Sequence, residues 1–507
     1  MVYNTIMEKQ VVQHEKLTEF YKKFDFEITN DWIKENSPVY SVEVIDNGQI
    51  VAAATTSKRF GEYVLDYIGV ASEYRRSGVG KDLVNDMLSY AKGKTEYLYL
   101  VAKTPAFFEK TGARYVSDKT ELLGECLGCN LYNKTCFPKL MRYEVKMNIE
   151  DEIFIKSELL IYGVSVDENA KEKLLRKYPH FFEKGFVHAV NLSFGDTNVN
   201  VSVAEKFSEV SKYHLYEKDG EFYIKSDKYD FKVEFFGALN QTNTFLDDMA
   251  RLHCTNCINI WPSTNCCYDK EGIKCKFCSI VKETEEPISV DKLAKSIKLL
   301  LENNKDGMLN FSGATYKSPD IMVDYWIELV KKIREFSNCK IAIEFAPPSD
   351  LNKLDELKKA GLDVAIMNLE IANPTLRKEI CPGKAGISYE HYHKAFDRAV
   401  KVFGYGQVSS VLIGGLQPKQ DIIDECEKMA KKGVFPTIMP YRPLDNCYER
   451  KETLCTPEDL REMSDKLGEM LVKYHLDFHK QEGCTKCGGC SIENDCYRLK
   501  MSKKKDA

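Results

Sequence analysis

Four cysteines near the middle of the 507-residue chain have a spacing suited to binding metal. Cys275 and Cys278 are separated by two residues, and they follow the adjacent pair Cys266 and Cys267. Three thiolates can hold three irons of a [4Fe-4S] cubane, which leaves the fourth iron open to a ligand with amino and carboxylate groups. We therefore predict a catalytic cluster on Cys275, Cys278 and one of the adjacent pair, with the choice between Cys266 and Cys267 open.

A structural zinc site is the alternative for this stretch. Cys254 and Cys257 form a second CxxC pair upstream, and two such pairs can make a four-thiolate tetrahedron. The cysteine spacing alone favours neither the iron–sulfur cluster nor the zinc site.

A second cysteine group lies near the end of the sequence, at Cys484, Cys487, Cys490 and Cys496. Ferredoxins bind [4Fe-4S] clusters with nearly this spacing, so we predict a second cluster here, with zinc as the alternative. Such a cluster can relay an electron, anchor substrate through an open iron or donate sulfur.

Composition limits the function classes. The 72 basic and 77 acidic residues give a net charge of -5, so no basic excess indicates nucleic acid or an anionic membrane. The first 17 residues lack the apolar core of a signal peptide, and no apolar run approaches the roughly 18–20 residues of a membrane span. We expect a cytoplasmic protein with a small-molecule substrate.

CxxC pairs in a reducing cytosol indicate metal or redox sites, whereas isolated cysteines are more often small buried hydrophobes. The isolated cysteines of this sequence are Cys339, Cys381, Cys426, Cys447 and Cys455.

A regular alternation of strands and helices surrounds the central cysteines. Strands are predicted at 258–260, 308–311, 340–345, 364–369, 408–413 and 435–440, and helices at 290–301, 321–336, 351–360, 389–403, 421–432 and 457–474. Six strands alternating with helices predict parallel pairing and a partial (β/α)6 barrel, in which chemistry sits at the strand ends.

The strand ends of this barrel carry groups that S-adenosylmethionine (SAM) requires. Gly313 would let the backbone approach the methionine amino group, Glu344 would take the ribose hydroxyls, and Glu370 ends the fourth strand. Arg377 would pair with the SAM carboxylate, and Gly414 would cradle adenine. Taken singly, each of these residues could be a surface charge or part of a turn. Their positions at successive strand ends favour a common site.

The region from about 252 to 491 resembles radical SAM proteins of the biotin synthase-related group, in particular a branch typically encoded beside nitrilases. The matching segments are 275–280 (CKFCSI), 344–350 (EFAPPSD), 382–385 (PGKA), 406–410 (GQVSS) and 484–491 (CTKCGGCS). The resemblance implies reductive cleavage of SAM to a 5′-deoxyadenosyl radical, Phe277 beside the adenine, and an electron donor such as ferredoxin or flavodoxin. The gap of seven or eight residues before Cys275 departs from the usual CxxxCxxC spacing.

The N-terminal region contains a candidate phosphate-binding loop. Arg75, Gly78 and Gly80 follow a predicted strand and open a predicted helix, where free amides can meet a pyrophosphate. With the segment 106–113 (AFFEKTGA), residues 40–117 resemble the GNAT acetyltransferases, which bind acetyl-CoA. Phe108 stands where that family commonly has a tyrosine general acid, and phenylalanine cannot donate a proton. Binding of an acetyl-CoA or acyl-CoA without transfer, or a purely structural role, is therefore an alternative.

Three further cysteines, Cys126, Cys129 and Cys136, form a candidate metal loop that Cys254 and Cys257 would complete. Together these patterns predict an α/β protein with a GNAT-like domain at 1–143, a mixed α/β connector at 144–249, a radical SAM barrel at 250–476 and a cluster segment at 477–507. The competing functions are an acetyltransferase with a degenerate barrel and a zinc-binding scaffold.

Overall fold

A computed structural model describes residues 7–24, 26, 38–116, 130–132, 134–177, 189–203, 205–236, 239–253, 256–280, 285–444, 447 and 455–505. The chain forms two compact units, one of Met1–Met147 with Lys228–Phe231 and the other of Asn148–Asp227 with Lys232–Ala507. Within the described residues, we find no helix that is both long and apolar enough to cross a membrane.

The first unit is built on a sheet that, among the described residues, has seven strands in the order β1-β2-β3-β4-β5-β7-β6. The strands are β1 (Glu8–Val11), β2 (Pro38–Asp46), β3 (Gln49–Arg59), β4 (Glu62–Val70), β5 (Tyr97–Ala102), β6 (Arg114–Tyr115) and β7 (Lys139–Glu144). The helices are α1 (Thr18–Lys22), α2 (Val79–Ala91) and α3 (Pro105–Lys110).

A cleft in this sheet follows from the pairing of β4 with β5. The two strands are parallel and pair at Tyr63 with Leu98 and at Val64 with Tyr99, near the start of each strand. In the described strands, the later residues of β4 and β5 do not pair with each other, so the carboxyl ends of these two strands separate. Helix α2 lies against the sheet through Leu83 and other buried residues at helical spacing, and it fixes the position of its own N-terminus at this cleft.

The second unit begins with a mixed sheet in the order β10-β9-β13-β12-β11-β8 among the described residues. Its strands are β8 (Ser165–Val166), β9 (Ala189–Phe194), β10 (Thr197–Ser202), β11 (His214–Lys218), β12 (Glu221–Lys225) and β13 (Asp230–Phe235). Its helices are α4 (Ile149–Tyr162), α5 (Glu168–Lys177) and α6 (Lys206–Glu209). Helix α4 starts after Asn148, whose side chain accepts a hydrogen bond from the Asp151 amide.

The rest of the second unit is a curled half-barrel, which confirms the predicted partial barrel. Its strands are β14 (Ala250–His253), β15 (Cys257–Ile260), β16 (Met308–Phe311), β17 (Ile341–Glu344), β18 (Val364–Ile366), β19 (Val408–Gly414) and β20 (Val434–Pro440). They lie in chain order; β14 is antiparallel to β15, and β15 through β20 are parallel.

Helices precede, connect and follow these strands. They are α7 (Leu246–Met249), α8 (Cys267–Lys270), α9 (Val290–Asn303), α10 (Pro319–Arg334), α11 (Lys353–Ala360), α12 (Pro374–Ile380), α13 (Tyr389–Phe403), α14 (Lys419–Lys432), α15 (Pro457–Lys473), α16 (Cys484–Cys487) and α17 (Glu493–Lys505). Strand β18 ends at Ile366, earlier than predicted. Residues 367–369 do not belong to the strand, and Glu370, which has a φ of 68°, makes an isolated parallel bridge to Leu412 of β19.

Candidate functional site

The loop that carries the central cysteines follows β15 and is fixed by backbone hydrogen bonds to two neighbouring connections. The Cys267 amide donates to the Thr315 carbonyl at 2.8 Å, and the Lys276 amide donates to the Ile380 carbonyl at 2.9 Å. The Gly383 amide in turn donates to the Ile273 carbonyl at 3.0 Å. These contacts hold the loop over the carboxyl ends of the parallel strands, where barrels of this kind place their chemistry.

A cavity of about 310 Å³ opens below this loop and brings most of the predicted site residues together. Cys266, Cys275 and Cys278 all line it, whereas Cys267 does not. The other predicted residues that line it are Phe277, Gly313, Glu344 and Glu370.

The adjacent cysteines have different environments. The two thiols are hydrogen-bonded to each other, and the amides of Asp269 and Tyr268 point at the Cys266 sulfur. Of the pair, Cys266 lines the cavity together with Cys275 and Cys278. This geometry favours Cys266 as the first ligand.

Two glycines allow close approaches that a side chain would block. Gly313 has a φ of +150°, and a Cβ there would lie 2.7 Å from the Ser263 carbonyl oxygen. A Cβ on Gly383 would lie 2.5 Å from the ring of Tyr268. Both positions therefore need glycine if the cysteine loop and the end of β16 are to keep this geometry.

An ion pair that the sequence did not predict lies beside the cysteines. Lys384 donates to the Glu370 carboxylate at 2.7 Å, and both side chains are largely buried. Burial lowers the pKa of Lys384, but the charges of Glu370 and of Cys275 more than compensate, so that the pKa lies well above its ordinary value. The second oxygen of Glu370 is buried without a hydrogen-bond partner. The PGKA motif contained Lys384, but without the fold nothing indicated its role.

Cys381 is a further thiol that sequence reasoning had assigned to the core. Its sulfur, that of Cys275 and a carboxylate oxygen of Glu370 lie within 4.8 Å of one another, the one such group of possible metal ligands among the described residues. A hydrogen bond to Cys275, together with burial, raises the pKa of Cys381. Cys381 therefore contacts the predicted cluster ligand Cys275.

Arg377 and Gly414 lie outside this cavity. The Arg377 guanidinium is buried, donates to the Ile387 carbonyl at 2.8 Å and lies 4.8 Å from the centre of the Tyr392 ring. A Cβ on Gly414 would lie 3.2 Å from the Met463 methyl group, on the side of α15. Their roles at SAM stay predictions; the cations that do line the cavity, among the described residues, are Lys274 and Lys384.

Glu344 lies deeper in the barrel than the cysteines. Asn310 and Asn368 donate to its carboxylate at 3.4 and 3.3 Å, and the Cys484 thiol donates at 3.7 Å. Burial raises the pKa of this carboxyl group. The C-terminal Cys484 thus reaches the same interior that the predicted ribose ligand occupies.

The other C-terminal cysteines lie in different environments. Cys487 packs against the base of the barrel interior with Met308 and Ala342. Cys490 is partly exposed, whereas Cys496 is only 2% exposed and lies against Gly468 of α15.

In the first unit, a cleft of about 1060 Å³ contains all three predicted phosphate-loop residues, Arg75, Gly78 and Gly80. Gly78 has a φ of 97° and caps α2, so the amides of the first turn of this helix face the cleft. A Cβ on Gly80 would lie 3.3 Å from the Phe107 ring. The positive end of a helix with an uncrowded loop suits a pyrophosphate.

The same cleft contains a buried ion pair that sequence reasoning missed. Arg59 Nε lies 3.0 Å from the Asp66 carboxylate, and both side chains are under 10% exposed. Burial is the main cause that raises the pKa of Asp66, to about 6, against the charge of Arg59. Phe108 is buried and lines the cleft, so its ring contributes shape and no proton.

The predicted metal loop lies partly outside the described residues. Cys126, Cys129 and Cys254 belong to segments that are not described, while Cys136 lines the cleft of the first unit. Cys257 is the first residue of β15 and is 1% exposed. Metal binding by this set stays a prediction.

Comparisons with known proteins match the two regions separately. The model of the acetyltransferase (GNAT) family matches residues 4–113, and that of the radical SAM superfamily matches residues 261–429. Bacteriochlorophyllide c C-7(1)-hydroxylase of Chlorobaculum limnaeum is 28% identical over 245 residues, which are 44% of this chain and 61% of that protein. An uncharacterized protein of Methanocaldococcus jannaschii is 23% identical over 253 residues, covering 48% of this chain and 56% of its own. The chain thus spans less than two thirds of the length of either curated relative.

Solved structures also match each region. The FeFe-hydrogenase maturase HydG from Carboxydothermus hydrogenoformans has a TM-score of 0.35 and 18% identity, over 43% of this chain and 51% of its own. The ribosomal-protein-S18-alanine N-acetyltransferase from Escherichia coli has a TM-score of 0.23 and 18% identity, over 28% of this chain and 96% of its own. The biotin synthase-related branch is not confirmed by these comparisons and stays a prediction. The protein combines an N-terminal domain of the GNAT acetyltransferase family with a radical SAM domain.

Proposed function

We propose that the barrel cleaves SAM reductively and uses the 5′-deoxyadenosyl radical to abstract hydrogen from a small metabolite. One observation carries this proposal: Cys266, Cys275 and Cys278 line one cavity together with Gly313 and the Glu370–Lys384 pair. A [4Fe-4S] cluster, when bound there, supplies the electron for SAM cleavage. Since each cleavage consumes one electron, a reductant such as ferredoxin or flavodoxin is part of the proposal.

The residues of the cavity fit the parts of SAM. Gly313 lines the cavity without a side chain, where the methionine amino group would approach the backbone, and the buried ammonium of Lys384 suits the methionine carboxylate. Phe277 and Trp261 are aromatic residues of the lining, and they would exclude water from the radical.

The test of this function begins with protein purified anaerobically and reduced. It should be brown, contain about eight irons if two clusters form with four each, and convert SAM to 5′-deoxyadenosine. Deuterium transfer from candidate metabolites into 5′-deoxyadenosine would then identify the substrate. Colourless protein that contains only zinc would instead support the scaffold, and the absence of 5′-deoxyadenosine from iron-loaded protein would reject the proposed reaction.

For the first unit we propose binding of acetyl-CoA or another acyl-CoA in the cleft beside Gly78 and Gly80. The helix terminus and the cleft support this binding. Acetyl transfer is a second candidate, because the Asp66 carboxyl group in the same cleft has a pKa raised to about 6 by burial and can act as a base above that pH. If transfer occurs, its rate should fall as pH drops below about 6. An acetyltransferase with a degenerate barrel would retain this activity without any SAM cleavage.

Replacing Lys384 with methionine should weaken SAM binding at least 10-fold. The change leaves the Glu370 carboxylate buried without its partner and removes the cation that faces Cys275. Equilibrium dialysis of SAM with the iron-loaded protein measures the effect; the cluster is kept oxidised, so that no electron is available to cleave SAM. Lys432→Met, which removes an exposed pair with Asp397, is the control and should bind SAM normally. Equal affinities in the two variants would contradict the role of Lys384.

Replacing Gly80 with valine should reduce acetyl-CoA affinity at least 10-fold, because even a Cβ meets the Phe107 ring at 3.3 Å and the side chain would crowd the phosphate loop. Gly78→Ala should also weaken binding, since its φ of 97° disfavours a side chain. Gly48→Ala is a matched control: its φ is +76°, its Cβ meets nothing within 4 Å, and it lies in a hairpin turn. Isothermal titration calorimetry with acetyl-CoA measures the affinities. Unchanged affinity in both loop variants would show that the loop does not bind the pyrophosphate.

A further inference from the structure

The C-terminal cysteine segment enters the barrel from its base. The Gly483 amide donates to the Met308 sulfur at 3.2 Å. A Cβ on Gly483 would lie 2.8 Å from both the Ala342 methyl group and the Asn310 side-chain oxygen. Met308 begins β16 and Ala342 is the second residue of β17, so the segment lies at the amino ends of the parallel strands.

The face of the sheet that this segment contacts is the face of the SAM cavity. Side chains two residues apart on a strand point to the same side, so Ala342 shares a face with Glu344, which lines the cavity. Met308 likewise shares a face with Asn310, which donates to the Glu344 carboxylate. The cysteine segment is therefore inside the barrel and not on its outer surface.

Cys257 lies on this same interior face. It is two residues before Asn259, whose side-chain oxygen accepts a hydrogen bond from Asn310 at 2.8 Å. Cys257 and Cys487 belong to one packed cluster at the base of the interior. Cys484 is close enough to Cys257 and to Cys490 to interact electrostatically with both.

Cys496, by contrast, is wedged between two helices. It lies on α17, and a Cβ on Gly468 of α15 would be 2.9 Å from the Cys496 Cβ. The charged groups that act on it are Asp495, Asp465, Glu493 and Lys500. This tight packing between two helices suits a structural thiol.

Positive groups lie instead near Cys490. The charges of Arg442 and Lys156 both act on it. Lys156 also donates to the Gly488 carbonyl at 2.8 Å, and the Asn200 amide donates to the Gly489 carbonyl at 2.7 Å. The connector sheet and α4 thus hold the cysteine segment in place.

We propose that Cys257, Cys484, Cys487 and Cys490 hold the second iron–sulfur cluster at the base of the barrel interior, and that Cys496 is a structural thiol. The cluster forms the floor below the SAM cavity, with Glu344 between the two. It therefore faces the substrate space directly. This inference rests on the proposed function only in taking the second metal centre to be an iron–sulfur cluster.

A variant that lacks the catalytic cluster isolates the second one. Cys275→Ala with Cys278→Ala is the parent, and it is reconstituted anaerobically with iron and sulfide. Cys257→Ala, Cys484→Ala and Cys496→Ala are then added singly, and iron, sulfide and the EPR spectrum of the reduced protein are measured. We expect about four irons in the parent and in the Cys496 variant, and at least a fourfold loss of iron in the other two.

The outcomes separate the ligand assignment from the proposed reaction. Iron lost on Cys496→Ala, or retained with an unchanged spectrum on Cys257→Ala, would overturn the assignment. A parent without iron would reject the second cluster, while SAM cleavage by the wild type would be unaffected by that result. Cys257→Ser preserves side-chain size, so an altered spectrum or loss of iron in this variant also supports ligation and excludes misfolding as the cause. Glu344→Gln in the parent should shift the EPR spectrum without loss of iron; an unchanged spectrum would overturn the placement beside Glu344.

Discussion

Replacing Cys275 or Cys278 with alanine is expected to abolish the formation of 5′-deoxyadenosine, by at least about 100-fold. Both sulfurs line the cavity, and a cubane held by two thiolates loses the fixed open iron on which SAM would chelate. The measurement is 5′-deoxyadenosine by chromatography after reduction in the presence of SAM. Iron should fall from about eight to about four per chain, because the C-terminal cluster remains.

Cys426→Ala is the control for these variants. Cys426 is a buried thiol on α14 and does not line the cavity, so its removal should leave both iron content and SAM cleavage unchanged. Equal cleavage by wild type and the Cys275 or Cys278 variants would defeat the cluster assignment.

The same assay distinguishes the adjacent cysteines. Cys266→Ala should lose cleavage, whereas Cys267→Ala should retain most of it, since only Cys266 of this pair lines the cavity. The opposite result would move the first ligand to Cys267.

Replacing Lys156 with methionine is expected to destabilise the second unit by about 1.5–3 kcal/mol. Lys156 is 1% exposed and pairs with Asp495 at 2.7 Å, so the change removes one of the two cations of this buried carboxylate, the other being Arg498 at 2.8 Å. Urea unfolding followed by circular dichroism and tryptophan fluorescence measures the effect. The control is Lys432→Met, whose partially exposed pair with Asp397 should contribute about 0–1 kcal/mol. Similar midpoints for the two variants would show that the Lys156 pair contributes little.

The pH dependence of this pair has a definite sign. Burial raises the pKa of Asp495, but the charge of Lys156 and hydrogen bonds from Lys156 and Thr197 outweigh it, so the pKa lies below its ordinary value of 3.8. Stability from a lowered carboxyl pKa is present above the unfolded value and is lost as pH falls through the folded value. The difference in the free energy of unfolding between wild type and Lys156→Met should therefore be largest near neutral pH and should become smaller in acid. A difference that grew in acid would contradict this assignment.

Local pattern was sufficient to predict the barrel. Each buried strand is a short apolar run, and each helix has apolar residues at helical spacing, so the alternation was visible without tertiary information. The end of β18 was misplaced because side chains replace backbone pairing there: the Leu369 amide donates to the Ser410 hydroxyl, and the Val411 amide donates to the Asn368 side-chain oxygen. The apolar sequence alone favours a longer strand.

The site was predictable only in part. CxxC spacing identified Cys275 and Cys278, and the strand-end argument identified Gly313, Glu344 and Glu370, which do line the cavity. Arg377 was chosen because its charge suits a carboxylate, but its guanidinium lies against Tyr392. Lys384 lines the cavity instead, and a lysine in a loop has no local pattern that reveals its burial.

The sequence by itself determined which cysteines are close along the chain, and hence the two cluster motifs and the glycine loop at the start of α2. These features depend on a few consecutive residues, and backbone geometry fixes their spacing. Only the tertiary structure decided which distant groups meet: Lys384 with Glu370, Cys381 with Cys275, and Cys257 with the C-terminal cysteines. These residues come from different strands and loops, and the curvature of the parallel sheet brings them to one interior. The spacing of the central cysteines was therefore enough to predict them as a group, whereas the residues that meet at the base of the barrel interior could not be predicted from the sequence.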